Sequence, residues 1–432
     1  MNKIKKSICF FSFPVLLANW SMAIASISEM TPLEDNDLRA VAGQGLILND
    51  KISGSDLDGS NAYSEPFDFY RMGLNGELEM NMNISKLQLG CGGINDHLSG
   101  FAGCDIDIDY AALMGRDGTE PGAPGSPFKL TRPYIEIAVK NDDTATLREV
   151  AGIKIGGESA DGAMVAGRRY TQNEAINQEN TAFANSCDTG ASTGAGVAGC
   201  HSGINTVSGF LGTELSITMR VQARLLGIFG LDAWGCTGRT QTNVDVCGTG
   251  RGDALFVDVA GTRMQTLGLR SAQLDLGDVT IGGFIDITPL LNSAYAQLNT
   301  DLRLAHKLTF EKTGDFFLSF QREPIAYPRY SKKTPIEELQ EAGIYATAID
   351  ACAISSTQTA RCSSAYSVPA NTGWWLNAPS VKLMDIVNEN ANLGNVSLNG
   401  ALDLLGAPGF LIEHPEFEMT PQQNCHGSTK FC

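Results

Sequence analysis

The sequence has no long apolar run behind its N-terminal segment. A helix that crosses a bilayer needs about 20 mainly apolar residues. No stretch after residue 25 approaches that length without a polar or charged interruption. A helical membrane protein is therefore not expected.

The sequence also lacks the short motifs by which many enzymes are identified. It contains no His-Glu-x-x-His or P-loop pattern. Its one Gly-x-Ser-x-Gly match, "GASTG" (190–194), lies in a stretch rich in Gly, Ser and Thr that is typical of a surface loop and not of the strand-to-helix turn that such a nucleophile needs. We therefore expect a protein that is not an enzyme. Its histidines are few and scattered along the chain: His97, His201, His306, His414 and His426.

Positive charge is scarce relative to negative charge. The chain has 31 lysine and arginine residues against 48 aspartate and glutamate residues, which gives a net charge of −17. Three of the lysines lie in the first 25 residues, so a mature chain without them would carry −20. Such a surface repels phosphate backbones, and nucleic acid is not expected among the partners.

The first 25 residues have the three parts of a secretory signal peptide. Lysines come first, an apolar run extends from Ile8 to Ala18, and the small residues of Ala23-Ile24-Ala25 suit cleavage by signal peptidase. We expect this segment to be removed on export. The mature protein would then lie at the cell surface, in association with the outer membrane, or outside the cell.

Cysteine usage fits an exported protein. Apart from Cys9 in the apolar run, ten cysteines fall into five pairs of near neighbours along the chain. An even count, short spacings and an export signal favour local disulfides in an oxidising compartment, and the spacings are not those of a zinc site. The predicted disulfides are Cys91–Cys104, Cys187–Cys200, Cys236–Cys247, Cys352–Cys362 and Cys425–Cys432.

Apolar and polar residues alternate over much of the chain, for example from Tyr134 to Val139 and from Leu215 to Val221. A period of two with β-branched and aromatic residues indicates half-buried strands. We predict a mainly β fold: a large antiparallel, layered or curved sheet, sandwich-like, with disulfide-closed loops and few short helices. The alternative is an irregular β-solenoid, because "GDVTIGGFIDI" (277–287) recurs as "GNVSLNGALDL" (394–404).

Two stretches have the capping pattern of a short helix, Thr31 to Gly43 and Thr334 to Gly343. Each begins with threonine and proline, has glutamate three residues after the threonine, and ends at glycine. The predicted organisation is a signal peptide (1–25), a short helix and strand (26–48), a β-rich body (49–330), and a C-terminal region with one short helix and a repeat of the β unit (331–432).

Carboxylates at alternate positions are the candidates for a metal site. The first group, Asp56 and Asp58, lies in "DLDGSN", and the second, Asp105, Asp107 and Asp109, lies in "CDIDIDY". Alternation in a strand would place the second group on one face, and oxygen ligands suit calcium. A solvated strand face explains the same pattern, so both interpretations stay open. No other cofactor is predicted.

Two segments, "PLEDNDLRAVAGQGLIL" (32–48) and "LTRPYIEIAVKNDDTATLREVAGIKIGGESADGAM" (130–164), resemble parts of the exported Fil-type pilus-system surface proteins of gammaproteobacteria. The first segment also resembles the leaders of double-glycine secreted peptides, although Gln44 replaces their second glycine. The pilus resemblance implies an assembly motif read by a partner, and a packed N-terminal helix without a partner is the alternative. The motif residues are Leu33, Asp35, Leu38, Val41, Gly43 and Gln44.

Together these features predict a non-enzymatic exported cell-surface protein, a structural or adhesive component of a pilus-like system. The resemblance implies other pilus-system or outer-membrane assembly proteins as partners, with a host or surface ligand as a further candidate. One alternative is an outer-membrane β-barrel, although acidic residues interrupt the predicted strands. Another is a secreted glycan-binding or glycan-cleaving protein, because a carboxylate pair assembled from distant strands leaves no motif.

Overall fold

The chain divides into two compact units, Met1–Gln44 and Gly45–Cys432. In the computed structural model, all described residues belong to the second unit. They form one sheet of sixteen strands, so the predicted mainly β fold is confirmed. The described residues are 46–56, 62–97, 103–116, 126–168, 201–236, 255–286, 293–330, 365–397 and 410–413.

The strands differ widely in length. The first eight are β1 (Ile47–Ser53), β2 (Phe67–Leu74), β3 (Glu77–Met80), β4 (Met82–Leu89), β5 (Ile106–Met114), β6 (Phe128–Lys140), β7 (Glu149–Val165) and β8 (Ile204–Leu225). The others are β9 (Phe229–Cys236), β10 (Leu255–Met264), β11 (Thr266–Ile281), β12 (Ile285–Asp286), β13 (Ser293–Asp301), β14 (Lys307–Gln321), β15 (Gly373–Val396) and β16 (Phe410–Glu413).

Strand order shows that the sheet is built from parts distant in sequence. Hydrogen-bonded neighbours follow the path β1-β2-β6-β7-β14-β15-β8-β9-β11-β13-β16. Most pairs are antiparallel, but β15 pairs with β8 and β13 with β16 in parallel. The sheet is therefore mixed, and its mainly antiparallel pairing is not the parallel stacking of a β-helical solenoid.

Glycine turns explain part of the predicted repeat. Gly282 and Gly283 have φ of 67° and 77°, and this left-handed pair lets β11 fold back on β12 in an antiparallel hairpin. The stretch "LNGELEM" (74–80) resembles the end of the repeated unit. It does not form a hairpin, because β2 and β3 both pair with β6, on either side of the bend between them. Residues 398–404 of the second copy lie outside the described part.

Aromatic pairs lie in both of the larger buried clusters, the first of which is otherwise mainly aliphatic. In the first, the rings of Phe128 and Phe310 lie 5.9 Å apart and nearly perpendicular. The second contains Phe317 and Tyr327, with ring centroids 5.8 Å apart, and the buried Trp375. Edge-to-face contacts of this kind add to the stabilisation from area burial.

Helical structure is limited to two 3-10 turns among the described residues, Ile94–His97 and Leu302–Leu304. The two predicted capped helices, 31–43 and 334–343, lie outside those residues. No helix in the described ranges has the length and hydrophobicity needed to cross a membrane.

Candidate functional site

The predicted disulfide between Cys91 and Cys104 is confirmed. It closes the loop between β4 and β5, with a sequence separation of 13 residues. Of the other predicted pairs, only Cys236 lies within the described residues, at the end of β9. Its partner Cys247 and the cysteines of the three remaining pairs lie outside them.

The carboxylates of "CDIDIDY" do not share one solvated face, and the expectation is wrong for Asp105. This residue precedes β5 and is buried. Its Oδ1 accepts hydrogen bonds from Nε of Arg263 at 3.0 Å and Nδ2 of Asn95 at 2.9 Å. Its Oδ2 accepts one from the backbone N–H of Trp374 at 3.0 Å. Asp105 therefore connects the disulfide loop, β10 and β15.

Asp107 and Asp109 lie side by side on β5 and share a lysine. Nζ of Lys86 on β4 lies 2.6 Å from Oδ1 of Asp107 and 2.8 Å from Oδ1 of Asp109, and Asn205 donates to both carboxylates. Partial burial opposes ionisation of Asp107, but hydrogen bonds from Lys86 and its neighbours outweigh it and lower the pKa of this carboxyl.

The three calcium candidates of "CDIDIDY" thus have protein cations as partners. Asp56 is exposed, and Asp58 lies outside the described residues. No group of three histidine, cysteine or acidic residues in the described ranges could hold a metal ion. Calcium binding stays a prediction, with the Lys86 ammonium positioned between Asp107 and Asp109.

Two histidines that are far apart in sequence meet in the core. Nδ1 of His306 lies 2.8 Å from the carbonyl oxygen of Ala166, so this nitrogen carries the proton and donates it. Nε2 of His306 is then an acceptor, and Nδ1 of His201 donates to it at 2.7 Å. Burial lowers the pKa of His306 and favours this neutral form. Sequence reasoning missed the pair because its members are 105 positions apart.

A second unexpected feature is a buried charge cluster of Arg71, Glu136, Lys154 and Asp315. Arg71, Glu136 and Lys154 lie directly opposite one another on β2, β6 and β7. Asp315 comes from the adjacent β14, and all four residues are buried. The only local signal is a charged residue between isoleucines, in "IEI" (135–137) and "IKI" (153–155).

Each charge in the cluster has an opposite charge nearby. Nε of Arg71 donates to Oε2 of Glu136 at 2.6 Å. Nζ of Lys154 lies 3.2 Å from Oδ1 of Asp315 and 3.7 Å from Oε1 of Glu136. It also donates to the carbonyl oxygen of Pro328 at 2.9 Å. Pairing of this kind is what makes buried charges tolerable.

Apolar side chains cover the opposite surface of the same strands. The strand register aligns Met72 of β2 with Ile135 of β6 and Ile155 of β7. It likewise aligns Tyr70 of β2 with Ile137 of β6 and Ile153 of β7. The apolar outer face consists of Tyr70, Met72, Ile135, Ile153 and Ile155. These side chains are between 37% and 58% exposed. The usual pattern is inverted here, with charges inside and isoleucines outside.

Comparison with known proteins provides no guide to this arrangement. No family model, curated protein or solved structure matches the chain.

Proposed function

We propose that the protein is a non-enzymatic, exported component of a cell-surface assembly, with a structural or adhesive role in a pilus-like system. The N-terminal export pattern, the Cys91–Cys104 disulfide and the two pilus-like segments support this role. The observation that carries the proposal is the apolar outer face of β2, β6 and β7.

This face has the chemistry of a protein contact surface. Contiguous apolar patches on soluble proteins mark interaction sites, and an interface typically has an apolar centre with a polar rim. Lys51 and Asp142, 2.8 Å apart at the edge of the face, supply such a rim. The partner that fits is another protein of the same assembly that presents an apolar strand surface.

The outward isoleucines provide the test. An isoleucine side chain that a partner buries contributes about 1.5–3 kcal/mol. Replacement of Ile135 and Ile155 by serine should therefore weaken association by at least about tenfold. We expect the double variant to fold and leave the cytoplasm but to accumulate unassembled in soluble extracts. Surface labelling of intact cells measures the loss.

A matched control comes from Ile228, which is 77% exposed in the turn between β8 and β9. The substitution Ile228→Ser removes an exposed isoleucine away from the face and should leave surface labelling unchanged. Normal display of the Ile135→Ser, Ile155→Ser variant would contradict the proposed contact surface.

A further inference from the structure

Lys154, Asp315 and Glu136 bring three ionisable groups together at the centre of the buried charge cluster. Nζ of Lys154 lies 3.2 Å from Oδ1 of Asp315, and Oε1 of Glu136 lies 3.7 Å from the same nitrogen. All three side chains are 0% exposed. An amine, a carboxyl group and a group able to carry a proton therefore meet where water is excluded.

The surroundings of the amine favour its neutral, nucleophilic form. Nζ of Lys154 lies 4.4 Å from the ring centroid of Phe317, 5.1 Å from that of Tyr134 and 5.6 Å from that of Tyr327. Burial among these rings lowers the pKa of Lys154, even though Asp315 and Glu136 oppose the effect. Desolvation in an apolar pocket is one of the ways in which proteins activate a lysine as a nucleophile.

Neighbouring contacts hold the two carboxyl groups in place. Arg71 binds Oε2 of Glu136, and Oε1 accepts no hydrogen bond from the described residues. Ser367 donates to Oδ2 of Asp315, which leaves Oδ1 directed at the lysine. In each carboxyl group, the oxygen that faces Lys154 is therefore not the oxygen that Arg71 or Ser367 binds.

We propose that Lys154 and Asp315 condense to an intramolecular isopeptide bond that joins β7 to β14, with Glu136 as the proton carrier. The ammonium first transfers one proton to the Asp315 carboxylate, so that a neutral amine faces a carboxylic acid. Nζ attacks Cγ of Asp315 and forms the new N–C bond. Glu136 accepts a second proton from Nζ and passes it to the departing hydroxyl group.

The Cγ–O bond breaks, one water molecule leaves, and Glu136 returns to its carboxylate form. Nothing is oxidised or reduced, and no other reactant is needed. The product replaces a buried pair of opposite charges with a neutral amide, which removes the desolvation penalty of that pair. The bond would link residues that are 161 positions apart and would hold two adjacent strands together. It does not depend on the proposed role in assembly.

The mass of the purified, full mature chain tests the bond directly. After reduction of disulfides, we expect a mass lower by one water molecule than that of the unmodified sequence. Proteolytic digestion should then yield a branched peptide that contains both Lys154 and Asp315. A wild-type chain with its full mass, or a water loss that maps elsewhere, would overturn the proposal.

Two variants identify the roles of the reacting groups. Lys154→Arg keeps a cation in the cluster, but a guanidinium does not lose its proton in proteins, so the full mass should return. Glu136→Gln keeps an acceptor for Arg71 but cannot take up the proton, so uncondensed chains should accumulate. A water loss that persists in Lys154→Arg would refute the assignment of the nucleophile.

Lys140 provides the matched control. Its Nζ lies 2.9 Å from Glu323, but both side chains are partly exposed. Because water reaches this pair, unlike Lys154 and Asp315, Lys140→Arg should leave the water loss unchanged. Loss of the mass difference in this variant would show that the cluster is not its source.

Discussion

Asp105 and Arg263, which are 158 positions apart in the sequence, form a buried ion pair with Oδ1 and Nε 3.0 Å apart. The same guanidinium donates to Oδ1 of Asp96 at 2.5 Å and to the carbonyl oxygen of Gly90 at 3.1 Å. Asp96 lies inside the loop closed by Cys91 and Cys104. Arg263 therefore fastens this loop to β10.

Removal of the Arg263 guanidinium should destabilise the fold strongly. The substitution Arg263→Ala leaves Asp105 buried without its cation, and breaking a buried ion pair costs about 3–5 kcal/mol. Chemical denaturation measures the free energy of unfolding. Arg322→Ala, which breaks the exposed pair with Glu149, is the matched control and should have little effect. Equal losses in the two variants would contradict the argument.

Replacement of Cys91 and Cys104 by serine should lower the free energy of unfolding by about 2–4 kcal/mol, because the disulfide restricts the unfolded chain. The loop also presents Asp96 to Arg263, so this effect should not add to that of Arg263→Ala. A double-mutant cycle measured by denaturation checks the coupling. Strict additivity would show that the disulfide and the ion pair act independently.

Stability should fall as the pH is lowered through the range of His306 titration. Burial sets the pKa of His306 below its ordinary value of 6.5. The neutral side chain therefore contributes fully to the free energy of unfolding above about pH 6.5, and this contribution is lost as the pH falls towards the folded-state pKa. Protonation of Nε2 would also turn it from the acceptor for His201 into a second donor.

The melting temperature between pH 7 and pH 5 measures this loss. His306→Gln should flatten the profile, whereas substitution of the exposed His97 by asparagine should preserve it. A wild-type melting temperature that rises as the pH falls would contradict the neutral assignment of His306.

Calcium should act on this region only after Lys86 is removed. In the wild type the Lys86 ammonium lies between Asp107 and Asp109, so calcium and a chelator should give the same melting temperature. Lys86→Ala leaves the two carboxylates adjacent and should make the melting temperature rise with calcium. A rise in the wild type would favour a calcium site with carboxylates other than this pair.

Sequence alternation identified strands but could not assign their faces. The segment from Tyr134 to Val139 lies in β6, as predicted, yet Ile135 is exposed and Glu136 is buried. The reason is that Glu136 finds its cations on β2 and β7, and pairing between strands is not visible in a single segment. The same limit hid the histidine pair and the parallel pairing of β15 with β8.

Local features were easier to predict because their determinants are close in sequence. The Cys91–Cys104 loop is short, and its connectivity followed from proximity along the chain. The hairpin at Gly282 and Gly283 likewise follows from two adjacent residues that adopt positive φ readily. The ion pair of Asp105 depends on Arg263 from a distant strand. Alternation in "CDIDIDY" alone therefore favoured a solvated strand face for Asp105.

The N-terminal motif can be tested separately from the sheet. Strand β1 begins at Ile47, so deletion of residues 30–44 leaves the first strand intact. If the segment is an assembly signal, the truncated protein should be exported with an unchanged melting temperature but should be lost from the cell surface. If the segment only packs as an N-terminal helix, the melting temperature should fall while surface labelling persists.

Substitutions within the motif distinguish its residues from the segment as a whole. Leu38→Ser with Val41→Ser removes two apolar residues of the pattern shared with the pilus-system proteins. Asn36→Ser with Ala40→Ser changes two positions between the motif residues and is the matched control. Because a partner that reads the motif must contact its apolar residues, we expect only the first pair to abolish surface labelling. Equal surface labelling of both double variants would show that no assembly partner recognises Leu38 and Val41.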